Sequence, residues 1–445
     1  MTSPGAVLPH SAVNHLHATP VRSALPLLVL AVITSACRQE HAGSPTAAAT
    51  LSAPLRLALA NHGGTAAIDE QIRSTQSKVR EKTDVPRLER LATLFIGKAR
   101  SSGDPGYYKQ AEACADAMPA ADGGAAAALL VRGHVRHALH DFVGAERIAR
   151  QLIASRDLFL DHGLLGDVLL DQGRLEEARQ AYQRMMEQKP CLQSYARAAQ
   201  LRWLAGDHAG TRELLGLAAT AGSQRDPESL AWVLTRRATL ELHSGDLATA
   251  VEHADRALTL VADYPAARLA RGRAALARDA AAEAVSDLVA AADASPLPEH
   301  LWAAADAARA AGRADTAATL EAKLLATGER EDPRTFAAWL ATTGRDPGTA
   351  LRLAVAEFQV RQDAYTFDVL ALARWRSGDL AGAQQAIASA LAVGVRDARV
   401  SLHAALLADA AGETDAASRH RRDAEAGRTA LLPSELRLLD ALPRS

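Results

Sequence analysis

Small side chains recur at a regular interval along most of the chain, and this recurrence restricts the fold more than any other feature of the sequence. Every residue seven positions before a series of turn-like sites is Gly or Ala, and every residue five positions after them is Ala or Thr. The turn-like sites are His140, Gly173, Gly206, Gly245, Asp279, Gly312, Gly344, Gly378 and Gly412. Their spacing runs from 32 residues (Gly312 to Gly344) to 39 residues (Gly206 to Gly245). A period of this length predicts a chain of repeated supersecondary units.

The two sets of small residues predict where helices cross. The first set is Gly133, Gly166, Ala199, Ala238, Gly272, Ala305, Ala337, Ala371 and Ala405, and the second is Ala145, Ala178, Thr211, Ala250, Ala284, Ala317, Thr349, Ala383 and Ala417. Antiparallel helices approach most closely where the side chains between them are small. A Gly between the two sets suits the left-handed conformation that ends a helix. Each unit is therefore predicted to be helix, tight turn, helix, with a degenerate first unit at Gly103.

Composition supports an all-α chain. At 445 residues the protein is too long for one ordinary core. Aromatic residues make up 4% of the chain, and alternating Val, Ile and Thr runs typical of strands are missing after residue 85. The formal net charge of -2 gives no basic footprint for nucleic acid.

One unit carries enough features to resemble a known repeat. Residues 164–190 contain, in order, the small residue Gly166, the turn residue Gly173, then Ala178, Tyr182 and Pro190. This pattern resembles the tetratricopeptide repeat, and the resemblance covers about residues 86 to 433. It implies an α-solenoid of antiparallel helix hairpins in a right-handed superhelix, with about nine to ten repeats and a C-terminal capping helix. It also implies a protein that binds other proteins or peptides and has no catalytic activity.

The N-terminal region has the pattern of an export signal. An apolar run of about 13 residues follows Arg22, which is too short to span a bilayer comfortably. Its ending, Thr34-Ser35-Ala36-Cys37, resembles the lipobox of bacterial lipoproteins, although that family usually has Leu at the position of Thr34. The resemblance implies lipidation of Cys37 and, because Arg38 follows instead of Asp, an outer-membrane anchor facing the periplasm. A plain cleaved signal or an uncleaved anchor remains an alternative.

The remaining boundaries follow from composition. Residues 1–37 are predicted to be the signal, residues 38–67 a flexible tether, and residues 68–433 the repeat array. Residues 434–445 are predicted to be the capping helix, with Ser434 as its N-cap. Residues 1–20 are long and uncharged for a signal, and we hypothesise that they are not translated and that Val21 is the start.

Enzymatic motifs are not found in the sequence, so no catalytic residues are predicted. His134, His137 and His140 are the most metal-like group, but residues six apart point in different directions on a helix, and surface histidines are expected. Cys114 and Cys191 lie in repeats too far apart to form a disulfide, so two buried or partly buried thiols are expected. No metal or cofactor is predicted.

The resemblance also implies a partner-binding groove lined by the first helices, one and four residues beyond each small position. The positions taken as the groove are His134, His137, Asp167, Gln200, Trp203, Thr239, Arg273, Asp306, Arg309 and Trp375, with Trp302 behind them. Trp203 and Trp375 are predicted to be the main anchors, since Trp offers a large contact area at interfaces. Packing of each Trp into a neighbouring hairpin is the alternative.

These features predict a lipid-anchored scaffold facing the periplasm that holds a partner peptide or protein. Two alternatives remain open at this point. One is a periplasmic carrier or chaperone for a metal or cofactor, suggested by the 15 histidines. The other is a regulatory subunit of an envelope enzyme. The sequence leaves the partner and the oligomeric state open.

Overall fold

The computed structural model describes residues 51–121 and 123–443, and within these residues the regular structure is helical. Twenty of the helices form ten consecutive antiparallel hairpins, which confirms the predicted α-solenoid of antiparallel helix hairpins and its repeat number. The first helices of the hairpins are α3 (Val85–Ser102), α5 (Gly124–Ala138), α7 (Phe159–Asp171), α9 (Leu192–Leu204), α11 (Pro227–Ser244), α13 (Pro265–Ala277), α15 (Pro298–Ala310), α17 (Pro333–Thr343), α19 (Ala364–Arg376) and α21 (Ala398–Ala410).

The second helices return antiparallel to the first. They are α4 (Gly106–Ala117), α6 (Phe142–Ser155), α8 (Leu175–Gln188), α10 (His208–Thr220), α12 (Leu247–Leu260), α14 (Ala281–Ala294), α16 (Ala314–Glu331), α18 (Pro347–Val360), α20 (Leu380–Ala392) and α22 (Thr414–Ala426). Helices α1 (Ala53–Ala58) and α2 (Ala67–Glu81) precede the hairpins. A 3-10 helix (Arg428–Ala430) and α23 (Pro433–Ala441) follow them.

The predicted turn sites end the first helices in the left-handed conformation. All nine have positive φ, and so does Gly103 in the degenerate first unit. Two of the nine are not glycine: His140 has φ 61° and Asp279 has φ 58°. A shared backbone conformation at these sites explains why residues of such different chemistry occupy equivalent places in the repeat.

The predicted crossing points are packed tightly. All nine residues of the first small set are buried. At Gly272, a Cβ would lie 2.5 Å from Cγ of Leu288 in the facing helix, so the crossing has no room for a methyl group. The second set has two exceptions. Thr349 is half-buried and Ala350 is buried in its place, because an extra residue, Asp346 with φ 39°, lengthens the turn after Gly344. Ala417 is also half-buried, since it lies in α22 of the last hairpin.

The superhelix is wound tightly enough for distant hairpins to touch. The turn of the third hairpin meets the start of the ninth, where the backbone N–H of Gln362 donates to the carbonyl of Asp171 at 3.0 Å. A Cβ on Gly173, in the same turn, would lie 2.5 Å from the carbonyl oxygen of Gln362. The turn of the fourth hairpin at Gly206 similarly lies against Gly394, just before the tenth. These contacts enclose the concave face on the inside of the superhelix.

The predicted tether differs from the structure over its described part. Residues 51–60 include α1, whose Ala58 is buried. Gln76 of α2 donates to the carbonyls of Ala58 at 3.0 Å and Ala60 at 2.8 Å, so the C-terminal end of this short helix is held by α2. Ala58 and Leu59 are buried in the N-terminal core cluster, and Leu55 packs against it, so these residues belong to the folded part of the chain. Residues 38–50 lie outside the described residues.

The C-terminal helix begins earlier than predicted. It also packs on a different surface from the one expected. Leu432, not Ser434, is the N-cap, because its backbone N–H donates to Oε2 of Glu435 at 2.7 Å and Pro433 suits the first helical position. α23 contacts α15, α17 and α21 as well as α22, and the 3-10 helix contacts α11, α13 and α21. The end of the chain therefore turns into the concave face, where a cap covering the last hairpin was expected.

Candidate partner-binding groove

The inner wall of the superhelix is formed by first helices, and a cavity of about 230 Å³ lies between them. Four of the predicted groove residues line this cavity: Gln200, Trp203, Thr239 and Arg273. They come from the fourth, fifth and sixth hairpins. The repeat therefore brings side chains that are distant in sequence to one concave surface.

Trp203 is held in place by aromatic and polar neighbours. Its Nε1 donates to the hydroxyl of Tyr365 at 2.6 Å, across the superhelix from the ninth hairpin. Its ring stacks on His208 with centroids 4.8 Å apart and meets the edge of His243 at the same distance. Trp203 is 6% exposed, so the predicted anchor lies in the cavity wall with little of its surface accessible. Burial raises the pKa of Tyr365, which keeps its hydroxyl protonated.

Two guanidinium groups, those of Arg236 and Arg273, face the same cavity. Arg236 donates to Oε1 of Gln200 at 3.0 Å, and Arg273 lies 3.7 Å from the carboxylate of Glu299. Burial lowers the pKa of both arginines because it disfavours the charged form. Arg236 was not predicted as a groove residue, because it lies two positions before the small Ala238 and not one or four positions after it.

Trp302 and Asp306 lie beneath the C-terminal helix. Nε1 of Trp302 donates to Oγ of Ser434 at 2.9 Å, and the backbone N–H of Ser434 donates to Oδ2 of Asp306 at 2.9 Å. Trp302 is 1% exposed and Asp306 is 3% exposed. Burial raises the pKa of Asp306 and outweighs the hydrogen bonds from Ser434. In the structure the chain's own C-terminal helix covers both residues, and partner binding at these positions stays a prediction.

Arg309 and Trp375 lie away from the cavity. Arg309 pairs with Glu321 of α16 and lies 3.5 Å from Asp306. Trp375 is half-buried, with the guanidinium of Arg376 at 4.5 Å from its ring centroid. Among the three predicted tryptophan anchors, Trp375 is the one that keeps an accessible surface.

The predicted groove residues of the second and third hairpins are engaged within the chain. Asp167 accepts hydrogen bonds from the hydroxyl of Tyr182 and from Nε of Arg197, each at 2.7 Å. His137 is buried, and its Nε2 lies 2.8 Å from Oδ2 of Asp171. Burial lowers the pKa of the half-buried His134 to about 4. Binding at these positions remains a prediction.

The expectation of surface histidines was wrong for His137. That residue joins the second hairpin to the third through Asp171, because a first-helix position that faces the neighbouring hairpin is buried by stacking. His140 lies 3.1 Å from the guanidinium of Arg361 and stacks on Phe142. Within residues 51–121 and 123–443, no group of three His, Cys, Asp or Glu side chains is arranged to hold a metal ion.

The cysteines in the described residues are placed as expected. Cys114 is buried in α4, and burial raises the pKa of its thiol to about 12. Cys191 is half-buried at the start of α9, and the two sulfurs are not bonded to each other. The signal, Cys37 and the first part of the tether lie outside the described residues. In the part of the chain that the structure describes, none of the helices has both the length and the apolar character that crossing a membrane requires.

Comparison with known proteins finds matches among solved structures at low sequence identity. No protein-family model matches the chain, and neither does any curated protein. Among solved structures, the APC/C hetero-tetramer Cut9-Hcn1 is 14% identical, covers 88% of this chain and 96% of its own, and has a TM-score of 0.32. A tetratricopeptide repeat protein from Parabacteroides merdae ATCC 43184 is 16% identical, covers 53% and 93%, and has a TM-score of 0.32. The human IFIT1 dimer with PPP-AAAA is 13% identical, covers 73% and 80%, and has a TM-score of 0.44.

Proposed function

We propose that the protein is a non-catalytic interaction scaffold that binds a segment of a partner protein along the inner wall of its superhelix. One observation carries this proposal: side chains of several hairpins converge on a single stretch of polypeptide, the C-terminus of the chain itself. Arg273, Trp302 and Asp306, all predicted groove residues, bind that stretch. The inner wall thus has the donors, acceptors and apolar surface that peptide recognition needs.

The cavity at Gln200 and Trp203 gives the groove room beyond the stretch that is already covered. A volume of about 230 Å³ is large enough for a side chain or several waters. Its walls combine aromatic rings with arginine, a combination enriched at binding hot spots. A regulatory subunit of an envelope enzyme would use the same surface, and the identity of the partner distinguishes the two functions.

Site-specific photo-crosslinking tests the proposal. A photoreactive amino acid at Gln200, which is half-buried in the cavity wall, should capture one dominant protein partner in native envelopes. The matched control is the same amino acid at Val143 of α6, which is 79% exposed on a second helix. Capture at Val143 alone, or no protein adduct at Gln200, would reject the groove as the binding surface.

We also propose that the scaffold is exported and held in the outer membrane by a lipid on Cys37, facing the periplasm. The apolar run and the lipobox-like ending of the signal support this location. Metabolic labelling with a fatty acid should modify the full-length protein and leave a Cys37→Ala variant unlabelled. A label that persists on the variant would remove the lipid anchor from the proposal.

A further inference from the structure

The C-terminal segment, defined here as residues 428–442, binds the inner wall through specific contacts along its whole length. Near its start, the hydroxyl of Thr429 donates to the carbonyl of Leu242 at 2.6 Å, and Arg273 donates to the carbonyl of Ala430. Near its middle, Ser434 bonds to Trp302 and Asp306, and Glu435 pairs with Arg399. The wall residues come from α11, α13, α15 and α21, so the segment crosses several hairpins.

Apolar burial accompanies these polar contacts. Leu432 is 3% exposed and Leu439 is fully buried, and both belong to the main core cluster. Glu435 is also fully buried, and its two oxygens serve different roles: Oε1 pairs with Arg399, and Oε2 accepts the N–H of Leu432. A buried Ser and a buried Glu with defined partners make the recognition dependent on sequence, because losing either one leaves a buried polar group unpaired.

The segment is attached differently from the hairpins. Each hairpin packs on its neighbours in sequence, so the stack of α3 to α22 is continuous without the segment. The segment leaves α22 at Ala426, which is exposed, and then lies across first helices of earlier hairpins. Its departure would uncover the inner wall without separating any pair of consecutive hairpins.

We infer that the C-terminal segment is an internal ligand of the groove and that a partner segment of the same chemistry replaces it. This partner carries two apolar residues, then Pro, a hydroxyl residue and an acidic residue that open an amphipathic helix. The hydroxyl residue takes the place of Ser434 between Trp302 and Asp306, and the acidic residue takes the place of Glu435 on Arg399. This inference rests on the proposed function, because it assumes a protein partner in the groove.

A cleavable full-length chain tests whether the segment can be replaced. A protease recognition sequence is inserted after the exposed Ala426, and the chain is folded before it is cut. A fluorescent synthetic peptide of residues 427–445 is then added, and its polarisation is followed under native conditions. We expect the peptide to exchange into the cut protein, while the uncut protein binds at least tenfold more weakly because its own segment competes at high effective concentration.

Peptide variants test the recognition chemistry. Ser434→Ala removes the hydroxyl bonded to Trp302 and Asp306 and should weaken competition by about tenfold or more. Asp440→Asn is the matched control, since Asp440 is partly exposed and pairs with Arg428 within the segment. This control should change competition by less than about threefold. Equal competition by the two variants, or no exchange into the cut protein, would overturn the inference.

Hydrogen exchange on the unmodified chain provides a second measurement if the inserted site prevents folding. We expect the amides of residues 428–442 to exchange at least about tenfold faster than those of α15 and α21, against which they pack. Equal exchange in all three would make the segment an integral part of the core and contradict the inference. Peptide exchange without any partner crosslinked at Gln200 would reject the proposed function. It would still support the C-terminal segment as a replaceable ligand of the groove.

Discussion

The two ends of the helical stack are covered in different ways. At the N-terminal end, α2 packs along α3 and α1 packs on α4, so these helices extend the stack by lying beside the first hairpin. At the C-terminal end, the segment of residues 428–442 turns back into the groove. Loss of either end would expose apolar core, but the C-terminal segment can leave the groove without separating consecutive hairpins.

A buried aspartate contacts each of these ends: Asp69 lies in α2 at the N-terminal end, and Asp306 lies in α15 and accepts from Ser434 of the C-terminal segment. Asp69 lies 2.8 Å from Nε2 of His62 and 2.8 Å from Nζ of Lys98. Burial alone would raise its pKa, but the hydrogen bonds from Lys98 and His62 outweigh burial and lower it. Asp306 has hydrogen bonds from Ser434, and burial still raises its pKa. Asp69 thus takes part in a buried charge pair, whereas Asp306 makes polar contacts with Ser434, and the charge pair of the C-terminal segment is that of Glu435 with Arg399.

The largest expected effect comes from removing one buried aliphatic side chain at each end. Ile72→Ala should lower the free energy of unfolding by about 2–5 kcal/mol, because Ile72 is fully buried between the N-terminal helices and the first hairpin. Leu439→Ala removes an equally buried side chain, but its cost is limited to the free energy that holds the segment in the groove.

Chemical unfolding followed by circular dichroism compares these two variants. The matched control is Leu57→Ala, because Leu57 is 46% exposed and its loss should change stability by less than about 0.5 kcal/mol. Faster hydrogen exchange of residues 428–442 should accompany Leu439→Ala. Equal destabilisation by Ile72→Ala and Leu439→Ala, with no local change in exchange, would remove the distinction between the ends.

An intermediate effect is expected from neutralising the buried aspartates. Asp69→Asn leaves Lys98 without its counter-charge and should cost about 1–3 kcal/mol. Asp306→Asn should cost less than about 1 kcal/mol, because burial already disfavours the charged carboxylate and an amide oxygen can still accept from Ser434. Thermal unfolding of both variants measures the difference, and a larger loss for Asp306→Asn would reverse the comparison.

The stability of the two ends should depend on pH with opposite signs. The pKa of Asp69 is lowered from 3.8, so its contribution to the stability of the fold is present above pH 3.8 and is lost as pH falls through the lowered pKa. The pKa of Asp306 is raised from 3.8, so its contribution to the stability of the fold is largest below pH 3.8 and is lost as pH rises through the raised pKa. Residues 428–442 should therefore be better protected at pH 4 than at pH 7, after correction for intrinsic exchange rates.

This trend at the C-terminal end should disappear in Asp306→Asn, which has no carboxyl group to titrate. Protection that falls on acidification in the range above 3.8 would contradict the sign assigned to Asp306. The region of α2 should keep its protection in that range and lose it only at lower pH.

The smallest effect is expected from surface contacts at the two ends. Arg428 pairs with the partly exposed Asp440 at 2.9 Å, and Arg90 donates to the side chain of Gln71 at 3.0 Å in an exposed contact. Arg428→Gln and Arg90→Gln should each change the free energy of unfolding by less than about 1 kcal/mol, because solvent screens such contacts. A larger loss in either variant would mean that surface contacts, and not the buried aspartates, hold that end.

Much of the fold could be predicted from sequence because its cause is local and repeated. His140 and Asp279 were placed in the series of turn sites by spacing alone, and both have the left-handed backbone that the series requires. The one shift of register, at Thr349, follows an extra residue that was visible in the sequence. Small residues and turns act within a single hairpin, so their effects can be read from about 34 consecutive residues.

The groove was less predictable because it depends on how strongly the stack curves. Gln200, Thr239 and Arg273, at first-helix positions, line the cavity, while their role in partner binding stays a prediction. Spacing within one hairpin could not reveal that Trp203 would meet Tyr365, 162 residues away. The same limit applies to the C-terminal helix: its amphipathic pattern predicted a helix but could not identify the surface that buries it.

The sequence by itself determined the repeating unit, because helix propensity, tiny side chains at the crossings and a left-handed turn act over short distances along the chain. Tertiary structure alone decided how closely the superhelix winds and therefore which hairpins meet across it. Small rotations between neighbouring hairpins add up over ten repeats, and no single position encodes their sum. The accumulated rotation curves the stack around the groove. It also brings the C-terminal segment into contact with Trp302, Asp306 and Arg399.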